Sequence, residues 1–218
     1  MKKVTNFMYE QPHCVSDENC DRIIELFEEL EEYHHAGVTT FAYESASKKS
    51  TDLSIYLNGC DCLQNEEFRQ LMNILVNNLG EGVKKYKEKY TPNNIGVDTI
   101  CRWGLENVFN IQRYLPTEGY YGWHTENSGL NNCQRVLAWM IYLNDVTDGG
   151  GTEFFFQNKI TKAEKGKLLI WPTDWTHYHR GQVSNTQTKY IATGWFCFIE
   201  TDSPLSLTRL AQGTEDFR

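Results

Sequence analysis

Apolar residues along this chain follow two different periods. Between residues 17 and 33, Cys20, Ile23, Ile24, Phe27 and Leu30 recur at helical spacing, with Glu25, Glu28, Glu29 and Glu32 around them. That pattern predicts an amphipathic helix buried along one face, and Ser16 offers a hydroxyl to cap its first turn. A second helix is predicted from about 65 to Tyr90. Phe68, Leu71, Met72, Leu75, Val76 and Leu79 share one face, and Thr91-Pro92 stops it. Between the two, Leu53, Ile55 and Leu57 alternate with Ser54 and Tyr56, which is the period of a strand, and Asn58-Gly59 ends it.

From residue 100 the texture changes. Short runs rich in Val, Ile, Phe, Trp and Tyr alternate with turn signals. Strands are predicted near 107–114, 120–125, 135–143, 152–156, 160–162, 167–171, 176–180 and 189–199. Asp148-Gly149-Gly150-Gly151 and Lys165-Gly166-Lys167 read as tight connections. Strands in such number without intervening helices predict a sandwich or barrel with the two helices packed on its outside, a mainly β member of the α+β class. There is no internal repeat, linker or low-complexity segment. The expectation is one domain over 1–218: a mixed, helical part at 1–100, a β core at 101–200 and a short tail at 201–218.

Composition narrows the partners. The 218 residues carry a formal net charge of −8, which disfavours nucleic acid, because phosphate binding needs a basic footprint. The run Lys84-Lys85-Tyr86-Lys87-Glu88-Lys89 fits a solvated helix face. The seven cysteines are odd in number and form no CxxC pair, so no disulfide framework or zinc ribbon is expected. Cys60-Asp61-Cys62 reads as a turn with two unpaired thiols in preference to a metal site. The N-terminus lacks the apolar run of a secretory signal, and no stretch approaches the ~20 apolar residues of a membrane span. A cytoplasmic location without a membrane partner is the expectation.

The candidate chemistry lies in "YGWHTENS", residues 121–128. In a strand His124 and Glu126 would face one way, and an imidazole beside a carboxylate suits a first-row metal. A third ligand must come from elsewhere. His13, His34 and His35 lie on or beside the acidic helix and read as surface. His177 and His179 lie in the β-rich part and share parity, so alternation does not choose between them. Two histidines and one carboxylate occupy one face of an octahedral Fe(II) and leave open positions for a bidentate co-substrate and O2. A 2-oxo acid bound there needs a cation for its far carboxylate. Lys189 is the candidate. It heads a row in which Ile191, Thr193, Trp195 and Cys197 share its face, and a buried lysine is costly unless an anion meets it.

With these residues the sequence resembles the Fe(II)- and 2-oxoglutarate-dependent oxygenases, most of all the prolyl 4-hydroxylase-like branch, over roughly residues 10–200. His124-Thr125-Glu126 matches the family's His-x-Asp, with glutamate where aspartate is usual. The family's distal histidine is followed ten residues later by a lysine, a spacing met by His179 and Lys189 and not by His177. Trp195 matches a tryptophan six residues beyond that lysine. "FNIQRYLPTEGYYGWHTE", "AWMIYLND", "DGGGTEFF" and "KGKLLIWP" resemble the family's core strands, and "ENCDRIIELFEEL" its opening helix.

The resemblance implies a double-stranded β-helix, or jelly roll. It implies Fe(II) on His124, Glu126 and His179, with 2-oxoglutarate and O2 as co-substrates and ascorbate as a reductant. By the same resemblance Lys189 would pair with the C5 carboxylate of 2-oxoglutarate. Tyr142 would donate a hydrogen bond to that end, Tyr114 would line the pocket, and Thr193 and Trp195 would shape it. The implied reaction is hydroxylation of an unactivated C–H bond, on a prolyl residue of a peptide or protein first. A free amino acid or small metabolite is the alternative substrate, and a degenerate metal-binding barrel the alternative role. The loop 127–132 is placed where it could close over substrate.

Overall fold

The computed structural model describes residues 5–39, 47–91, 95–99 and 101–199. Its elements in chain order are β1 (Tyr9–Gln11), α1 (Asp17–Glu29), β2 (His35–Ala36), β3 (Lys48–Lys49), β4 (Thr51–Tyr56), α2 (Glu66–Tyr90), β5 (Trp103–Tyr114), β6 (Gly119–Tyr120), β7 (Arg135–Tyr142), β8 (Thr152–Phe154), β9 (Lys159–Thr161), β10 (Leu168–Pro172), β11 (His179–Gly181) and β12 (Lys189–Phe198). The major sheet has the order β1-β10-β7-β12-β5-β4-β2. A smaller sheet, β11-β8-β9, and the pair β3-β6 complete the strands. Every pairing is antiparallel. This is the jelly-roll arrangement the resemblance implies.

The alternation of the long strands divides the protein into two apolar layers. Leu137, Trp139 and Ile141 of β7, Leu168 and Ile170 of β10, and Phe109 and Ile111 of β5 face the helices. They pack with Ile23, Leu26 and Phe27 of α1 and with Phe68, Leu75 and Val83 of α2. Ala138, Met140 and Tyr142, with Leu169, Trp171 and Ile191, point to the opposite side, into the space between the sheets. The two-residue period therefore sends one half of each strand to the outer core and the other half to the cavity.

Both predicted helices form. Ser16 caps α1 by accepting from the Asn19 N–H, and Asn65 caps α2 by accepting from the Phe68 N–H. The first helix is shorter than expected. The Leu30 N–H bonds both Leu26 O and Phe27 O, the ladder tightens, and Glu31–Tyr33 continues as a 3-10 turn. Two strand predictions need correction. Of 120–125 only Tyr120 pairs within a strand, Gly119–Tyr120, followed by an isolated bridge at His124. Of 176–180 the first part is a 3-10 turn, Trp175–His177, capped by the Asp174 carboxylate, and pairing starts only at His179. Strand β5 starts earlier than predicted, because Trp103, Gly104 and Leu105 pair with Phe198, Cys197 and Phe196. Pro92 and the tail 201–218 lie outside the described residues.

Candidate metal centre

The two histidines meet through the backbone. His124 N–H bonds His179 O and His179 N–H bonds His124 O, each at 3.0 Å, so the residues are direct partners in an antiparallel bridge. Partners of this kind project to the same face, which brings the two imidazoles together. Glu126 arrives differently from the strand alternation expected of it. It lies beyond the bridge, and its N–H is held by Thr173 O at 3.1 Å.

The side chains converge. Glu126 Oε1 lies 3.2 Å from His179 Nε2 and 3.6 Å from His124 Nε2. One donor atom from each of the three residues falls within 4.8 Å of the others, the one such cluster of histidine, cysteine, aspartate and glutamate among the described residues. Both rings hold their other nitrogen on a carbonyl: His124 Nδ1 on Gly122 O and His179 Nδ1 on His177 O, both at 2.9 Å. Carbonyls only accept, so each Nδ1 carries the proton and each Nε2 keeps its lone pair for a metal. Tyr120 stacks on His124 with ring centroids 3.6 Å apart, and Phe154 and Trp171 enclose His179.

The electrostatics match this assignment. Burial, followed by the nearby His179, lowers the His124 pKa below the ordinary imidazole value. Burial pushes the Glu126 carboxyl upward, but the facing His124 and His179 rings outweigh that and hold it well below the usual carboxylate range. Two imidazoles with a free Nε2 and one carboxylate make a donor set that fits a divalent first-row metal.

His177 is buried too, but elsewhere. Its Nε2 meets Asn6 O at 2.8 Å and its Nδ1 meets the Thr176 hydroxyl at 2.9 Å. Both nitrogens are engaged, as in a core histidine. Cys60 and Cys62 face each other at 2.9 Å without gathering a third donor among the described residues.

The centre opens into a cavity of about 610 Å³. Lys189, Ile191, Thr193 and Trp195 line it from β12, as their shared parity predicts, and Tyr114 lines it from β5. Lys189 is 5% exposed and has no ion-pair partner among the described residues. Its Nζ lies 4.6 Å from the Tyr114 ring centre, and burial lowers its pKa to about 8. Tyr142 points to this side but does not present its hydroxyl to the cavity. Its hydroxyl is taken by those of Thr152 and Thr161 at 2.8 and 3.0 Å. Thr193 donates to Trp139 O at 2.9 Å, and Trp195 Nε1 donates to Glu126 Oε2 at 2.8 Å. The loop 127–132 closes on itself, with Ser128 and Gly129 N–H groups both on Asn132 Oδ1.

Sequence reasoning missed a polar network in the same cavity. Asp52 accepts from Lys48 Nζ at 2.9 Å, Ser50 Oγ at 2.6 Å and Gln112 Nε2 at 2.8 Å, and Gln112 Oε1 accepts from Tyr114 Oη at 2.7 Å. Its signal was present as polar residues at the alternate positions Asp52 and Ser54 of β4 and Asn110 and Gln112 of β5. Alternation alone does not separate a cavity wall from a solvated face.

Residues 109–197 match the family model described as the 2OG-Fe(II) oxygenase superfamily. Two PKHD-type hydroxylases are similar over part of their length. One, from Synechococcus sp. (strain CC9902), is 26% identical over 92 residues, 40% of this chain and 40% of that protein. The other, from Picosynechococcus sp. (strain ATCC 27264 / PCC 7002 / PR-6), is 27% identical over 101 residues, 44% of this chain and 45% of that protein. The match thus spans less than half the length of these relatives. Among solved structures, the viral collagen prolyl hydroxylase of Paramecium bursaria Chlorella virus-1 superposes with a TM-score of 0.62 at 16% identity, covering 88% of this chain and 97% of that one. A Pseudomonas putida prolyl-4-hydroxylase gives 0.58 at 14% identity, covering 90% and 95%. These superpositions show a shared fold. Residues 109–197 are thus similar in sequence to the 2OG-Fe(II) oxygenase superfamily, and the donor set of the centre is consistent with that similarity.

Proposed function

We propose that this protein is an Fe(II)- and 2-oxoglutarate-dependent dioxygenase that hydroxylates an unactivated C–H bond, with a prolyl residue of a polypeptide as the first substrate class to test. One observation carries the reading: two Nε2 lone pairs and a carboxylate converge in a cavity that also holds a buried lysine with no ion-pair partner among the described residues. His124, Glu126 and His179 would hold the metal. Iron with 2-oxoglutarate and O2, when bound, supplies the oxidising chemistry, and succinate and CO2 leave as co-products.

The protein's own part is binding and orientation. Gly122 and His177 carbonyls fix both ring tautomers. Lys189 would meet the far carboxylate of 2-oxoglutarate, which would keep its ammonium charged. Tyr114, stacked against that ammonium, narrows the space around it. Isoleucine and tryptophan on the same wall keep the cavity partly dry, which strengthens each charge contact inside it. The polypeptide substrate is supported by the shared fold with the viral and bacterial prolyl hydroxylases.

The test is succinate formation from 2-oxoglutarate with Fe(II), ascorbate and proline-containing peptides. Wild type and His177→Ala should turn over and His179→Ala should not. Equal turnover in His179→Ala would refute the ligand set. Succinate formed with amino acids and never with peptides would move the substrate to small molecules.

A further inference from the structure

Glutamate in place of aspartate creates a problem of denticity. The extra methylene adds a rotatable bond, and both carboxylate oxygens can then swing onto one metal ion. A bidentate carboxylate would fill one of the positions that the co-substrate and O2 need.

The structure occupies one of the two oxygens. Oε1 faces the two histidines, while Oε2 accepts the indole N–H of Trp195 at 2.8 Å. A hydrogen bond to a partly buried carboxylate is of the strong, charge-assisted kind. Trp195 is itself held. The Arg135 guanidinium lies 3.5 Å over its ring centre, and Arg135 Nε and Nη2 contact the Glu106 carboxylate at 3.1 and 3.5 Å.

Two sheet irregularities make this stack possible. Between β12 and β7 the register runs Trp195 with Ala138, Phe196 with Leu137, then Cys197 with Arg135, so Val136 is an extra residue. The bulge resets the alternation and turns Arg135 to the cavity side, although its odd number would otherwise send it to the helix side with Leu137 and Trp139. Between β12 and β5 the register runs Gly194 with Phe109, then Phe196 with Leu105. Glu106, Asn107 and Val108 therefore stand opposite Trp195 alone. Bulges re-aim side chains beside functional sites, and here two of them converge on a single tryptophan.

We propose that Trp195, clamped by Arg135 and Glu106, is a positioning residue that restricts Glu126 to one metal-facing oxygen and so keeps a coordination position open. The inference rests on the metal site assigned above. Trp195→Phe keeps an aromatic ring at the position but loses the indole N–H donor, while Arg135→Gln leaves the indole and removes its clamp.

The experiment is water-proton relaxivity of the full-length protein loaded with Mn(II), followed by titration with 2-oxoglutarate. Three open positions should hold three waters in the wild type. In Trp195→Phe a freed Oε2 takes one position, so relaxivity should fall by about a third. Affinity for 2-oxoglutarate should weaken about tenfold. Arg135→Gln should shift both readings the same way by less. Mn(II) bound by both variants with unchanged relaxivity and unchanged 2-oxoglutarate affinity would overturn the proposal. So would loss of Mn(II) from Trp195→Phe, because the indole would then hold the ligand in place and not limit it to one oxygen. Failure of the wild type to hold Mn(II) would instead overturn the metal site, and this inference with it.

Discussion

Lys189 shows how one residue sets function against stability. Its ammonium is buried against Tyr114 without an anionic side chain beside it among the described residues, and its pKa falls to about 8. Between pH ~8 and ~10.5 the unfolded chain still binds that proton while the folded protein has released it, so this group's contribution to stability rises with pH across that window. Below about 8 both states are protonated and the full burden of about 3 kcal/mol remains. Lys189→Met, close in volume, should therefore stabilise the ligand-free protein by up to about 3 kcal/mol in urea unfolding at pH 7, and by clearly less at pH 9.5. The same substitution should weaken 2-oxoglutarate binding by about 30-fold or more, as expected when one partner of a buried charge pair is lost. A variant that is destabilised at both pH values would mean that the lysine stem, not its charge, dominates. The sequence exposed this residue because a lysine at the head of an inward row is unusual. It did not reveal that Tyr142 would spend its hydroxyl on Thr152 and Thr161, since those partners come from β8 and β9.

At the scale of elements, the connection before β10 is the sharpest constraint. Gly166 has φ +73°, and a Cβ there would lie 2.2 Å from the Val15 carbonyl oxygen. Its own carbonyl accepts from the Cys14 and Val15 N–H groups. The turn thereby fixes the segment leading into α1 against the sheet. Gly166→Ala combines a left-handed backbone with a main-chain clash and should cost roughly 2–4 kcal/mol, read as a lowered urea midpoint. An unchanged midpoint would show that the segment shifts freely. The Lys165-Gly166-Lys167 signal marked the turn in the sequence, but not what it touches. Elements with several periods, such as α2 with its apolar face from Phe68 to Leu79, were legible nearly to the residue. Strands of two or three residues, β1, β2, β3 and β6, contain too little repeat to be read.

For the whole molecule, binding and folding are linked. If Mn(II) and 2-oxoglutarate occupy only the folded state, 2-oxoglutarate at 100 times its Kd should add about 2.7 kcal/mol to the Mn(II)-loaded protein. For a chain of this size that corresponds to a rise in Tm of about 5–10 °C. Lys189→Met should lose most of this shift while still responding to Mn(II). A rise of equal size in His179→Ala would separate the ligand effect from the metal site. No helix among the described residues is long and apolar enough to cross a membrane.

What the sequence determined by itself was what repeats or stands at fixed spacing: two amphipathic helices, the alternation of the long strands, the His124-x-Glu126 pair, and a lysine on the inward row of β12. Each follows from backbone periodicity, which is local. Alternation left His177 and His179 open and the family resemblance chose His179 by its spacing to Lys189; the tertiary structure supplies the physical reason, because the two differ in partners from distant chain, Asn6 for one and the backbone of His124 for the other. The tertiary structure alone placed the Asp52 network on the cavity wall and turned Arg135 inward through the bulge at Val136. Those outcomes depend on register between strands far apart in sequence, and a one-residue difference in register reverses the face a side chain takes.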